Sequence, residues 1–332
     1  MCEGLSTQPA VNKRHEFVDI MRGIGIILVV LGHSIGFMSE NLNIFILSFH
    51  MPLFFFISGM LLSTKNSFKA FLKKRAIGIL IPHVILSVLM IVESIIFDVF
   101  LFHRFSLWEV NYLVIFQSWF LPTLFFMEIV CYGILKLSEK GRFVLPAAIL
   151  VFCVAFILTS YNGIQYVQQV LCATFFGLVG IAIKSFLLSD KASNIIKYSC
   201  CGLFLIPALA ILSSFNLPVG MYMNQYGNKI VFLTTSFLGI AATFVIAKTI
   251  NKNQALEFFG KNSIYIYVTQ AFVLRCIMGV VNRLPFVNMN ASSYPYYFIV
   301  FILAMLVEIV LILCINKLKH FKKADSDKKI LL

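Results

Sequence analysis

Three side chains on the first apolar stretch of the sequence are of types that do chemistry, namely Asp19, Arg22 and His33. His33 follows Arg22 by eleven residues, which places both on nearly one helix face, about 16 Å apart along the axis. Asp19 lies three residues before Arg22 and shares that face. A cation and an imidazole on one face of an apolar helix are costly unless they line a polar cavity. Arg22 alone is equally compatible with snorkelling to lipid headgroups. The shared face favours a catalytic role for His33 and Asp19.

A second histidine follows on the next apolar stretch, which reads SFHMPLFFFISGMLL. Pro52 has no N–H, so the carbonyl of Ser48 lacks its helical partner, and a kink there aims His50 into the bundle. Two histidines at one depth on consecutive antiparallel helices predict that His33 and His50 meet. Because no third ligand accompanies them, a general base with a polar partner is favoured over a metal pair.

Closely spaced cations follow in a segment that we interpret as a loop: Lys65, Lys69, Lys73, Lys74 and Arg75. Such a cluster is mainly a topological signal, but it also suits a phosphorylated donor. Pro82 predicts that the helix after Arg75 ends or kinks just inside the membrane. Ser58 and Gly59 lie deep on the same side, and Gly59 allows another backbone or a ligand to come close.

Later apolar stretches carry polar side chains that are candidates for a substrate pocket: Trp119, Glu128, Tyr267, Gln270 and Arg275. Glu128 and Glu308 are equally compatible with structural ion pairs to Arg22 or Arg275. A further polar cluster either hydrogen-bonds a hydroxyl-rich ligand or marks the membrane interface: Tyr161, Asn162, Gln165, Gln168 and Gln169.

Composition indicates the class of protein that positions these groups. Of 332 residues, 60% are hydrophobic and 12% charged, against about 25% charged in soluble domains. Apolar runs of about 20 residues recur along the chain, which is typical of a polytopic α-helical membrane protein and not of a β-barrel. The net charge of +13 does not indicate nucleic-acid binding, because the cations lie in short connections between the runs. The first run is expected to be a span and not a cleaved signal peptide.

We predict an all-α bundle of about ten transmembrane helices at 17–38, 44–63, 76–102, 112–135, 143–160, 165–188, 198–215, 229–248, 262–282 and 294–316. Residues 17–316 then form one transmembrane domain between polar tails at 1–16 and 317–332. With the N-terminus inside, all but four of the 27 Lys and Arg residues lie on the inner side. The positive-inside rule therefore predicts that both tails are cytoplasmic.

The motifs resemble those of the membrane-bound acyltransferase 3 family, and most closely its fucose 4-O-acetylase-like or WecH-like stand-alone branch. The resemblance covers the whole chain and is strongest in the first 125 residues. It rests on the Arg-x10-His pattern with its preceding Asp19, the run FHMPLFFFISG, the basic segment ending at Arg75 before Pro82, the WFL at Trp119, and the GKNSIYIY run that precedes Gln270.

The resemblance implies transfer of an acyl group, usually acetyl, from cytoplasmic acyl-CoA to a carbohydrate hydroxyl in the bacterial cytoplasmic membrane. His33 would be the catalytic histidine, and Arg22 and Arg75 would contact the CoA phosphates. Acetyl-CoA is then a co-substrate, with no permanently bound cofactor or metal. The expected partners are membrane lipid and a carbohydrate acceptor, and a homodimer remains open. Relatives often carry histidine where this chain has Gln270, so a role for a third histidine is not expected here.

Two other functions remain open at this point. A transporter or flippase of a lipid-linked sugar predicts inverted repeats or helices broken at the midplane, and the sequence has no internal symmetry. An acyl relay would pass the acyl group to a separate extracytoplasmic transferase.

Overall fold

The computed structural model describes residues 15–35, 39–95, 119–138, 141–158, 164–189, 192, 201–283 and 294–330. Within these residues the regular structure is helical, apart from one isolated antiparallel bridge between Gly220 and Gln225. The predicted all-α class is therefore confirmed. Parts of the predicted spans 76–102 and 112–135, most of the N-terminal tail, and Tyr161 and Asn162 lie outside the described residues.

The described residues form thirteen α-helices: α1 (Glu16–Ser34), α2 (Glu40–Leu47), α3 (His50–Leu61), α4 (Phe68–Arg75), α5 (Ile81–Ile95), α6 (Phe120–Leu137), α7 (Val144–Leu158), α8 (Gln165–Leu187), α9 (Cys201–Ser214), α10 (Lys229–Ile250), α11 (Gln254–Lys261), α12 (Ser263–Val281) and α13 (Tyr294–Ile330). A π-helical segment, Ala76–Leu80, joins α4 to α5, and a 3-10 turn, Met221–Met223, precedes α10.

Eight apolar helices in the described part of the chain are long enough to cross a membrane. Two of them are composite, because α2 with α3, and α4 with α5, each form one apolar span. Shorter apolar helices at Val144–Leu158 and Phe204–Ser214 occupy two further predicted positions. Each of the ten predicted spans thus contains an apolar helix, which supports the predicted polytopic bundle.

The predicted irregularity near Pro52 is present, and it lies at Ser48 and Phe49, between α2 and α3. The Ser48 carbonyl accepts a hydrogen bond from the Ser236 hydroxyl of α10 at 2.6 Å. One turn further along α10, the missing side chain of Gly239 leaves space for the Phe49 ring. Pro52 has no N–H to donate to the Ser48 carbonyl, so a side chain of another helix donates to it instead. This hydrogen bond stabilises the break inside the bundle.

The helix after Arg75 does not end at Pro82, so this alternative of the prediction is wrong. Ser67 caps α4 and accepts from Ala70 N, so Lys69–Arg75 are helical and not part of a loop. The helix continues through Pro82 after the π-helical segment, in which Ile81 N donates to Ala76 O. The wider π turn changes the helical register between Arg75 and α5, and such segments often occur at functional sites.

Glycines allow two close helix contacts. Gly59 of α3 lies against the backbone of Gly177 in α8, where a Cβ has no space. Gly260 of α11 similarly lies against the backbone of Asp19, and Gly23 of α1 lies against Leu256. Small residues at such crossings let helices pack closely in a membrane. The sequence predicted that either another backbone or a ligand comes close to Gly59, and in the structure it is another backbone.

Candidate functional site

A cavity of about 450 Å³ lies among α1, the α2–α3 break, α5 and α12. Five of its lining residues were predicted from the sequence as site residues on helices, and a sixth, Trp119, immediately precedes α6. These six are His33, His50, Trp119, Tyr267, Gln270 and Arg275. The rest of the wall is mainly apolar, with Leu86 and Met90 of α5 and Met51 of α3. An apolar cavity with a few convergent polar groups is the usual form of a small-molecule site.

His33 projects from the last turn of α1 into this cavity. Its side chain retains exposed surface at the cavity wall, although protein surrounds the residue. The imidazole makes no hydrogen bond to the described residues. It is therefore available to exchange a proton with a ligand in the cavity, as a general base must be.

His50 begins α3, immediately after the break, and is buried. Its Nδ1 lies 2.8 Å from the carbonyl oxygen of Ile46. A carbonyl only accepts, so Nδ1 carries the proton and Nε2 is the nitrogen that accepts one. The rings of His50 and His33 are close enough to interact electrostatically. The structure thus places both histidines in the wall of one cavity.

The opposite wall is formed by α12 and the start of α6. Tyr267 packs against Phe120 with ring centroids 5.1 Å apart and is hydrogen-bonded to its backbone. Gln270 is buried, and its side-chain oxygen Oε1 has no hydrogen-bond partner among the described residues. Buried polar atoms are normally paired, so an unpaired oxygen in a cavity wall suits a ligand that donates a hydrogen bond. Trp119 and Arg275 complete this wall.

A separate polar cluster lies near the other end of α1. Glu128 of α6 is buried and forms an ion pair with Arg75, whose Nε lies 2.9 Å from Oε2. The Ser58 hydroxyl of α3 donates to the other carboxylate oxygen, Oε1. Arg22 is near enough to Glu128 to interact electrostatically. The arginines at the start of α1 and at the end of α4 are therefore gathered around one carboxylate, in the half of α1 opposite His33.

Comparison with known families decides the general class of the protein. A family model described as an acyltransferase domain matches residues 15–313. The chain belongs to the acyltransferase 3 family. No curated protein and no solved structure matches the chain. The match spans α1 to α13, so the cavity and the arginine cluster both belong to the acyltransferase domain.

Several predicted site residues of the acyltransferase lie outside the cavity. Asp19 is buried one turn before Arg22, and about 21 Å of helix axis separates it from His33, so the two do not touch. Glu128 was predicted as a substrate contact, whereas the structure pairs it with Arg75. Ser58 joins the same cluster.

Other features of the site were not predicted from the sequence. Glu308 was considered as a counter-ion for Arg22 or Arg275, but its carboxylate accepts hydrogen bonds from Thr269 at 2.7 and 2.9 Å. Ser236 was missed as the partner of the Ser48 carbonyl. The spacing of Ser236 and Gly239 on one helix face was the available signal, but only the fold shows which break it meets. In the described part of the chain, no group of three or more His, Cys, Asp or Glu side chains is placed to hold a metal ion.

Proposed function

We propose that the protein is an O-acyltransferase that moves an acyl group, most simply acetyl, from acyl-CoA to a hydroxyl of a cell-surface or lipid-linked carbohydrate. The observation that carries this proposal is the cavity lined by His33, His50 and Gln270, whose Oε1 has no hydrogen-bond partner in the part of the chain that the structure describes. Acyl transfer to an alcohol needs a base for the hydroxyl proton, and imidazole titrates near neutral pH.

In this mechanism, His33 takes the proton of the acceptor hydroxyl while the oxygen attacks the thioester carbonyl. The tetrahedral intermediate collapses, the C–S bond breaks, and the imidazolium returns its proton to the CoA thiolate. His50 acts as the polar partner of His33: Ile46 holds its Nδ1–H, and its Nε2 would accept a hydrogen bond from the imidazolium that forms on His33 during the reaction. The Gln270 oxygen accepts a hydrogen bond from another hydroxyl of the acceptor. The aromatic rings of Trp119 and Tyr267 form the sides of the site.

The donor is proposed to enter at the arginine cluster. The guanidinium of Arg75 is fixed at Nε by Glu128, and its remaining N–H donors suit a phosphate, since its side chain is 28% exposed. Arg22 lies beside it and about 16 Å along α1 from His33. That separation suits CoA, which is anionic at its nucleotide end and carries its thioester on a long neutral arm.

The orientation follows from the distribution of cations. If the positive-inside rule holds, Arg22 and Arg75 face the cytoplasm, where acyl-CoA is made, and both termini are cytoplasmic. The protein would then work in the bacterial cytoplasmic membrane. The motifs around His33 and His50 favour the fucose 4-O-acetylase-like or WecH-like branch, and hence a sugar acceptor.

The test is release of free CoA by the purified protein in lipid nanodiscs, with acetyl-CoA and a panel of sugar acceptors. His33→Ala is expected to lower kcat by about 10²- to 10⁴-fold, the usual contribution of a general base. His83→Ala is the matched control, because His83 is also on a membrane helix but does not line the cavity. Unchanged turnover in His33→Ala would contradict the mechanism. No release by the wild type with any acceptor would favour transport of a lipid-linked sugar.

A further inference from the structure

The segment between α9 and α10, residues 216–228, forms part of the cavity wall. Gly220, Met221 and Tyr222 line the cavity, and Met221 is buried there. The segment is a compact hairpin in which the backbones of Gly220 and Gln225 exchange hydrogen bonds of 2.7 and 3.0 Å. We call residues 216–228 the capping segment.

The base of the capping segment is held by its own side chains. Asn216 accepts hydrogen bonds from the backbone of Leu217 and Asn228 through Oδ1, and its amide donates to Tyr226 O. The positive φ of Gly227 brings the chain back toward Asn216 at this point. The two ends of the segment are thus joined independently of its tip.

The tip is held by glutamines at the start of α8. The carbonyl of Tyr222 accepts hydrogen bonds from the side chains of Gln165 and Gln169, at 2.6 and 2.7 Å. Asn224, in the left-handed conformation, donates to Gln168 Oε1 at 2.6 Å and to the backbone of Gln165 at 3.0 Å. The sequence left two interpretations open for these glutamines, namely ligand binding or a position at the membrane interface. In the structure they bind the capping segment.

The hydrogen bonds between α8 and the tip of the capping segment suit a segment that opens. Gln168 and Gln169 are buried, where apolar residues would pack without the cost of desolvating an amide. Their side-chain contacts with the tip are neutral hydrogen bonds, each with a modest net contribution to stability. Opening of the tip must break these hydrogen bonds and uncover the side chain of Met221, while Asn216 keeps the base closed.

We infer that the capping segment closes the cavity over the reacting groups, keeps water away from the thioester, and opens to admit the acceptor. This inference rests on the proposed acyl transfer. Water in the open cavity attacks the thioester carbonyl, the C–S bond breaks, and the products are the free carboxylic acid and CoA, whose sulfur takes the proton. Gln165 and Gln169 are positioning residues in this scheme, because they act through the backbone of Tyr222.

The first measurement compares free acid with acylated acceptor at equal CoA release. The variants are the double substitution Gln165→Leu with Gln169→Leu, and separately Asn224→Gly, which keeps the left-handed backbone accessible. Loss of two neutral hydrogen bonds shifts an opening equilibrium by roughly thirtyfold, so the ratio of acid to acylated product should rise about tenfold or more. Thr234→Val is the matched control, because Thr234 is exposed and its hydroxyl donates to Ile230 O within α10.

The second measurement does not depend on turnover. Hydrogen exchange at the amides of Gly220 and Gln225, which are bonded to each other in the closed hairpin, should accelerate in both variants and not in Thr234→Val. Faster exchange with an unchanged product ratio would overturn the water-excluding role. Unchanged exchange in both variants would overturn the anchoring by α8. Absence of acyl transfer by the wild-type protein would instead contradict the proposed function itself.

Discussion

At the scale of single residues, the two histidines of the cavity differ in what surrounds them. His50 has one nitrogen bonded to Ile46 O, so its protonated nitrogen is fixed by the backbone. His33 has no hydrogen bond to the described residues and faces the cavity. A base that must both take and return a proton needs such an uncommitted ring, whereas a fixed ring suits a partner that stabilises the charged form of that base.

We predict that His50→Asn lowers kcat by about tenfold and leaves stability unchanged. The asparagine amide reaches the position of Nδ1 and still donates to Ile46 O, but nothing replaces Nε2 as the acceptor for the imidazolium of His33, and one hydrogen bond lost in the transition state corresponds to about a factor of ten. The measurements are kcat for CoA release and thermal denaturation in detergent. Wild-type kcat in His50→Asn would show that Nε2 of His50 has no part in the reaction.

The sequence predicted both histidines of the cavity and four more of its lining residues, because a helix repeats in 3.6 residues and costly polar groups on apolar helices mark a polar interior. The sequence predicted the surroundings of Asp19 and Glu128 less well. Burial and charge single out such residues, yet which partner each one meets depends on helices distant in sequence. Glu128 pairs with Arg75 across α4 and α6, and no local pattern connects these two residues.

At the scale of elements, the break between α2 and α3 aims His50 into the cavity. Pro52 made an irregularity predictable, but its place depends on α10, which supplies the hydroxyl of Ser236 and the space at Gly239. The π-helical segment before Pro82 was not predictable, because the sequence shows that a hydrogen bond is lost and not how the helix adjusts.

Ser236→Ala is expected to destabilise the protein by about 1–3 kcal/mol, the cost of leaving a buried carbonyl without a partner. The Ser48 carbonyl would lose its 2.6 Å hydrogen bond in a part of the bundle that is closed to solvent. Unfolding by titration with a denaturing detergent measures this loss. Ser213→Ala is the control, since that buried hydroxyl bonds to Ala210 O within its own helix. Equal destabilisation by the two variants would argue against the role of Ser236.

At the scale of the whole molecule, α1 connects two chemically different regions. Its first half contacts α11 through Gly23 and Gly260 and carries Arg22 toward Glu128. Its last turn carries His33 into the cavity. The proposed function uses this separation. The anionic end of the donor needs a cationic site, its thioester needs a site that holds a base, and one path must join the two.

The last prediction tests whether donor binding at the arginine cluster is separate from acceptor binding in the cavity. If Glu128 acts only by holding Arg75 for the donor phosphates, Glu128→Gln and Arg75→Gln should each raise the KM for acyl-CoA by about tenfold. The double variant should then raise it by about tenfold and not a hundredfold, because contacting residues of one network do not contribute additively. The KM for the acceptor should stay constant in all three, since neither residue lines the cavity.

A matched control is the ion pair of Glu257 and Lys261 on α11, at 2.8 Å, which joins neighbouring turns of one helix. Glu257→Gln should leave the KM for acyl-CoA unchanged, because this pair lies within one helix and does not hold Arg75. Additive effects of Glu128→Gln and Arg75→Gln would mean that the carboxylate meets the donor independently. A raised KM for the acceptor would mean that the arginine cluster and the cavity form one site, and that α1 does not separate donor binding from acceptor binding.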